Sequence, residues 1–319
     1  MMKNRPVHRL CVPAVLGVLV VVMLTNAAVV AKEPISSRGL AWAGELLLIV
    51  NPDSYSVTFL DPASREIRAE IPVGVDPRSI AVDEETNLAY VANRGSDDIS
   101  VLDISLASEI ARVPVGDRPY GILVSPDGSR LYVAEQGIDS VRIVDAVTYE
   151  TLGQIDTDDR PSGLAMSADG RILYITHLLE PSLTVLENVD GPIHAILMRH
   201  ISLWPDSNLI QSIVIEPSGQ TAYVPHTRSN TANTALTFDT TVFPLVSLVD
   251  LDEERHETGQ QYDLGTLDPP GVGLPFDAAV AGNDRELWVV NAASNDLSIL
   301  DLESRNLKAH IEVGANPRA

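Results

Sequence analysis

A unit of 42 residues returns along the chain, and nothing else in the sequence constrains the fold as much. The Asp that closes a short β-branched run recurs as Asp61, Asp103 and Asp145, and the Pro that opens the next run recurs as Pro77, Pro119 and Pro161. The wording between them also holds: Leu88-Ala89-Tyr90-Val91-Ala92-Asn93 and Ser100-Val101-Leu102-Asp103 return as Leu131-Tyr132-Val133-Ala134-Glu135 and Val141-Arg142-Ile143-Val144-Asp145. A period near 40 with several short strands per unit marks a radial β-propeller, in which one unit is a blade that cannot bury its faces alone.

One repeat encodes four strands. Ser79 to Val82 and Leu88 to Asn93 flank a turn and read as a hairpin. In the next unit that turn is Ser125-Pro126-Asp127-Gly128-Ser129, where Pro presets φ, Asp caps locally and Gly supplies φ > 0. A second turn, Arg94 to Asp98, leads into Ile99 to Asp103, and a third leads through Ile110 to Val115 before Gly116-Asp117-Arg118-Pro119 crosses to the next unit. The first strand of each blade lies by the axis between neighbouring blades, so its apolar run carries no charge, as in Gly121-Ile122-Leu123-Val124 and Gly163-Leu164-Ala165-Met166. Gly121 and Gly163 suit that crowded position, although a strand Gly also marks a bulge.

Six units are readable. The first is degenerate, with Arg38 to Trp42 as a shortened inner strand; the last three run from Ser162 to about Leu203, Gln211 to about Leu264 and Phe276 to Val313. Val313-Gly314-Ala315-Asn316-Pro317-Arg318-Ala319 repeats the crossover wording that elsewhere announces an inner strand. The sequence therefore predicts one all-β propeller over residues 32–319, six four-stranded blades of a seven-bladed ring that is incomplete at the C-terminus. A six-bladed ring closed by other means is the alternative.

Residues 1–31 read as a secretory signal peptide: Lys3, Arg5 and Arg9 form a basic start, Val12 to Leu24 an apolar core, and Val29-Val30-Ala31 a small-residue end. This implies a periplasmic or extracellular protein, with membrane attachment only if the segment is not cleaved. Cys11 lies within it, so the remaining chain has no thiolate nucleophile, no disulfide and no C-x-x-C-H for haem c. The net charge of −22 disfavours nucleic acid and anionic membranes and favours basic protein partners such as soluble cytochromes.

Tyr90-Val91-Ala92-Asn93, Tyr132-Val133-Ala134-Glu135 and Trp288-Val289-Val290-Asn291, each followed by a strand ending in Asp and the first and last by a Val-Gly-x-x-Pro crossover, resemble the YVTN-type β-propeller repeats over about residues 46 to 319. Pro225 to Asn230 and Phe238 to Pro244 resemble a segment of periplasmic propellers fused to a di-haem, cytochrome c peroxidase-like domain. The resemblance implies service to a redox system, with haem c held in a missing or partner domain rather than in this chain. It carries no activity to these residues, because both haem motifs are lacking.

Three groups of side chains are site candidates. The residues ending the second strands are Asn51, Asn93, Glu135, His177, His226 and Asn291, and Glu135, His177 and His226 in three successive blades form a candidate set for a transition metal. Equally, each could cap its own strand and bond loop backbone. The crossovers bring Arg78, Arg118, Tyr120 and Arg160 to the same mouth as anion-ligand candidates, or as partners of Asp76, Asp117, Asp158 and Asp159. The insertion in the fifth blade, taken as Thr227 to Val242, supplies the partner-docking candidates Arg228, Asn230, Phe238 and Phe243. His194 and His200, six residues apart, are expected on one face of a rim strand.

No serine elbow, zinc-protease helix or catalytic carboxylate pair is visible, which favours a non-catalytic recognition module that docks a basic cytochrome or a haem domain. The competing expectation is a propeller enzyme, a hydrolase or metal-dependent oxidoreductase subunit, working at the central mouth.

Overall fold

The computed structural model describes residues 33–229, 242–266, 273–281 and 284–318. A short β1 (Ile35–Ser36) precedes six antiparallel sheets. Blade I is β2 (Leu40–Ala43), β3 (Leu46–Asn51), β4 (Ser56–Asp61) and β5 (Glu66–Pro72); blade II is β6 (Pro77–Asp83), β7 (Leu88–Asn93), β8 (Asp98–Asp103) and β9 (Ser108–Pro114). Blade III is β10 (Pro119–Val124), β11 (Arg130–Glu135), β12 (Ser140–Asp145) and β13 (Thr151–Asp156); blade IV is β14 (Pro161–Met166), β15 (Ile172–His177), β16 (Ser182–Glu187) and β17 (Leu197–Ser202). Blade V has a broken inner strand, β18 (Ser207–Asn208) and β19 (Val214–Ile215), followed by β20 (Thr221–Ser229), β21 (Val242–Asp250) and β22 (Arg255–Asp263). Blade VI is β23 (Pro275–Ala281), β24 (Glu286–Asn291), β25 (Asp296–Asp301) and β26 (Leu307–Glu312). The all-β propeller expectation holds.

Strand alternation explains how blades adhere. Successive side chains of a strand point to opposite faces, so one second strand feeds two seams. In β7, Ala89 and Val91 enter the core with Leu48, Phe59 and Leu102, while Tyr90 and Ala92 enter the next core with Ile99, Leu131 and Val133. The pattern continues in β11, whose Tyr132 and Ala134 join Ile143, Leu164 and Ile175. Tyr174 and Leu183 pack with Val224 and Val249 across seam IV–V, and Tyr223 and Val246 with Leu287 and Val289 across V–VI.

Seam VI–I differs. Val290 and Leu297 form a small cluster with Trp288 and Val313, all from blade VI and its exit. Between them and blade I lies an apolar cleft of about 100 Å³, with Leu40, Trp42 and Leu47 on one wall and Ala279, Trp288 and Leu297 on the other.

The axial ends of the inner strands are locked by a second repeated position. Ser79 Oγ donates to the Tyr120 carbonyl at 2.6 Å and accepts from the Ile122 amide at 3.0 Å, joining blades II and III. Ser212 Oγ donates to the Phe276 carbonyl at 3.0 Å, joining V and VI. At this position blades III and IV carry Gly121 and Gly163, where a Cβ would stand 2.3 Å from the Ser162 carbonyl and 2.8 Å from the Gln211 carbonyl. Both glycines also lie in register shifts, so crowding and bulging act together.

Without a hydroxyl at 121, the Leu164 amide bonds instead to Ser37 Oγ at 2.8 Å. That residue belongs to a segment the repeat does not announce. Strand β1 pairs with β14 of blade IV, and the Arg38 carbonyl then accepts from the Ile80 amide of blade II at 2.8 Å, so residues 35–38 strap across the axis. This corrects the expectation of an inner strand from Arg38 to Trp42: β2 is Leu40–Ala43, and Arg38 belongs to the strap.

Two further boundaries shift. Thr227 and Ser229 continue β20, and Val242 opens β21, so the hairpin of blade V lengthens before its insertion begins. His194 sits in a 3-10 turn (Ile193–Ala195) and only His200 lies on β17, so the two do not share a strand face.

Candidate functional site

The residues expected to end the second strands face the third strand of their own blade; all do end them except His226, which lies three residues inside the end of β20. Asn51 donates to Ser56 and Thr58, Asn93 to Asp98 and Ser100, and Asn291 to Asp296 and Ser298, at 2.6 to 3.1 Å, always five and seven residues downstream. Glu135 keeps the offsets: it accepts from Ser140 Oγ at 3.0 Å, forms an ion pair with Arg142, and takes the Gly116 amide at 2.7 Å. A carboxylate thus stands where the partner seven residues on is Arg instead of Ser or Thr. His177 Nε2 meets Thr184 Oγ1, and His226 Nε2 meets Ser247 Oγ, each at 2.8 Å. Burial lowers the pKa of His177 and pushes His226 down to about 4, so the His226 imidazole is neutral at pH 7.

Glu135, His177 and His226 are each fully buried in a separate blade and held by that blade. The structure does not bring them together, and among the described residues no group of three His, Cys, Asp or Glu could hold a metal ion. This arrangement does not fit a shared metal.

The proposed crossover set divides into two columns. Arg118 and Arg160 precede a Pro, adopt positive φ (57° and 54°), and hang exposed at 3.9 and 4.0 Å from Asp117 and Asp159. Asp76, Leu274 and Asn316 occupy the same column with the same backbone hand. Arg78 and Tyr120 follow the Pro and turn towards the axis. Their column continues as Ser162, Gln211, Phe276 and Arg318, one residue after each crossover.

These residues build the channel mouth. The Tyr120 hydroxyl donates to Gln211 Oε1 at 2.9 Å, and Gln136 Nε2 donates to Ser162 Oγ at 2.9 Å. Arg318 lies over the Phe276 ring at 5.9 Å. Arg78, Tyr120, Phe276 and Arg318 line a cavity of about 570 Å³ that extends to Asn51 and Thr58 of blade I. Burial pushes the Tyr120 phenol up to about 12 even though Arg78, Arg318 and Arg94 favour its ionised form. The cue for this column was the position after each recurrent Pro, which Phe276 and Arg318 share with Arg78 and Tyr120.

Of the docking candidates, Arg228 is already occupied: its Nε and Nη2 donate to Asp206 at 2.7 and 3.0 Å, and its guanidinium covers the Trp204 ring at 4.5 Å. The Arg228 hydrogen bonds hold the Asp206 carboxyl below the usual range. Phe243 is half-buried opposite Arg228 on β21, and Asn230 and Phe238 lie outside the described residues.

Comparison with known proteins places this geometry among β-propellers. A family described as lactonase, 7-bladed beta-propeller, matches residues 66–147, from the outer strand of blade I through the third strand of blade III. No curated protein matches the chain. Among solved structures, hydrazine synthase of Kuenenia stuttgartiensis superposes with a TM-score of 0.73 at 22% identity, covering 92% of this chain and 90% of that one. A functionally unknown protein from Desulfotomaculum acetoxidans gives a TM-score of 0.66 at 15% identity, covering 89% and 87%. At these identities the likeness is one of fold.

Proposed function

We propose that the chain is a non-catalytic recognition module of an exported redox system, docking a basic c-type cytochrome or a haem domain of the di-haem peroxidase-like kind. The observation that carries this reading is that Glu135, and Nε2 of His177 and of His226, the residue types best suited to chemistry, are bonded inside their own blades. What the propeller offers is surface, and that surface belongs to a chain of net charge −22. Electrostatic complementarity of this kind steers encounter with basic partners and fades as salt screens it. The resemblance to YVTN-type propellers fused to haem domains supplies the partner class, and the leader-like residues 1–31 supply the compartment.

A basic cytochrome c titrated into the purified propeller at about 10 mM ionic strength should give saturable binding that weakens at least tenfold at about 200 mM. Absence of saturable binding at low salt contradicts the reading. The second reading, an enzyme working at the mouth, draws on the lactonase-family match and on the cavity beside Tyr120. Turnover of a lactone panel by the isolated chain, abolished by Tyr120→Phe, would favour it.

A further inference from the structure

We infer that the mouth cavity is a binding site for a small organic monocarboxylate with a planar apolar body. Two guanidiniums at the mouth share one partner and keep donors unpaired. Asp76 is shared by two guanidiniums: its Oδ1 lies 2.6 Å from Arg78 Nη2 and its Oδ2 lies 3.2 Å from Arg94 Nη1. One carboxylate therefore answers two cations, and the Nε groups of Arg78 and Arg94 are buried without an acceptor among the described residues. A buried N–H left unpaired is costly, and Arg78, the one of the two that lines the cavity, is the guanidinium an incoming oxyanion would pair.

Arg318 adds a third cation on the same mouth, exposed and facing the cavity that Arg78 lines. Arg78 and Arg318 thus bring two guanidiniums to one side of the cavity, with Arg94 behind them on Asp76. The rest of the lining narrows the ligand class. Phe276 and Tyr120 present aromatic surface beside the cations, suited to a flat apolar body. Asp53 and Glu70 line the cavity on the side of blade I, where they oppose a second negative charge. A volume of about 570 Å³ lies within the range of small-molecule pockets. The site is independent of the proposed docking of a cytochrome, since it uses the axis rather than the acidic surface, and either can fail without the other.

Calorimetric titration at pH 7 with benzoate, benzamide and inorganic phosphate tests the assignment. Benzoate should bind one to one, and benzamide, the neutral isostere, about tenfold more weakly or less. Arg78→Gln should weaken benzoate binding about tenfold or more, as expected for loss of a charge-assisted pair. Arg318→Gln, an exposed substitution that leaves the fold intact, should weaken it severalfold and serves if Arg78→Gln does not fold. Arg118→Gln on the exposed rim should leave it unchanged. Equal binding of benzoate and benzamide, phosphate binding as tight as benzoate, or indifference to Arg318→Gln and Arg78→Gln overturns the proposal.

Discussion

Seam II–III and seam VI–I are built from the same repeat and end differently. In the first, Tyr90, Ile99, Leu131 and Val133 from two blades interlock, and Ser79 stitches the inner strands with two hydrogen bonds. In the second, Trp288, Val290 and Leu297 offer the equivalent face, but among the described residues no buried cluster includes both them and blade I. Where Ser79 would stand, blade VI has Asp277, whose carboxyl is raised by burial and has Arg38 of the strap as its compensating charge. The difference teaches that a blade's stability is borrowed from its neighbours: identical strand wording is worth most where both faces are covered.

The largest effect expected from this contrast comes from matched truncations. Leu131→Ala removes a fully buried side chain from seam II–III and should cost about 2–5 kcal/mol in denaturant titrations. Leu40→Ala, on the cleft at seam VI–I, removes a half-buried one and should cost less than about 1 kcal/mol. Equal costs would break the comparison.

Acid comes next. His226 is neutral when folded, with its pKa lowered to about 4, so below the ordinary value near 6.5 the unfolded chain binds the extra proton. Its contribution to stability is intact above pH 6.5 and is lost as pH falls towards 4, on the order of 3 kcal/mol in all. His226→Asn, which installs the residue that caps blades I, II and VI, should remove this component of the acid response while leaving the melting temperature at pH 7 within a few degrees. A variant as acid-sensitive as the parent would show that blade V is not held by a neutral imidazole.

A smaller effect is expected at the strap. Ser37→Ala deprives the buried Leu164 amide of its acceptor and should cost about 1–2 kcal/mol. No loss would mean that β14 does not depend on the strap at the Leu164 amide.

Much of this architecture was legible in the residues, and the exceptions have physical reasons. Columns stepping by 42 place β6 to β12, and β14, to within a residue or two, because Pro and Asp recur where strands begin and end. Ile35–Ser36 escaped notice because two residues cannot display a period and no repeat partner precedes them. Thr227 to Ser229 looked like loop for lack of any apolar alternation, yet β20 continues through them opposite Val242 to Pro244. Grouping Arg78 with Arg118 joins residues from opposite sides of a Pro, where Arg118 before it takes positive φ and turns out to solvent and the residue after it turns to the axis. The own-blade role of Glu135 was written in the sequence seven residues on, as Arg142 in place of Ser100 or Thr184.

Hydrogen exchange resolved by strand tests the central claim, that the propeller is cemented at five seams and weak at the sixth. The amides of β10 and β14, covered by blades on both sides, should exchange slowest and together, whereas β2 and β23 on either side of the Leu40 and Trp288 cleft should exchange at least about tenfold faster. Protection of β2 and β23 equal to that of β10 would contradict the account.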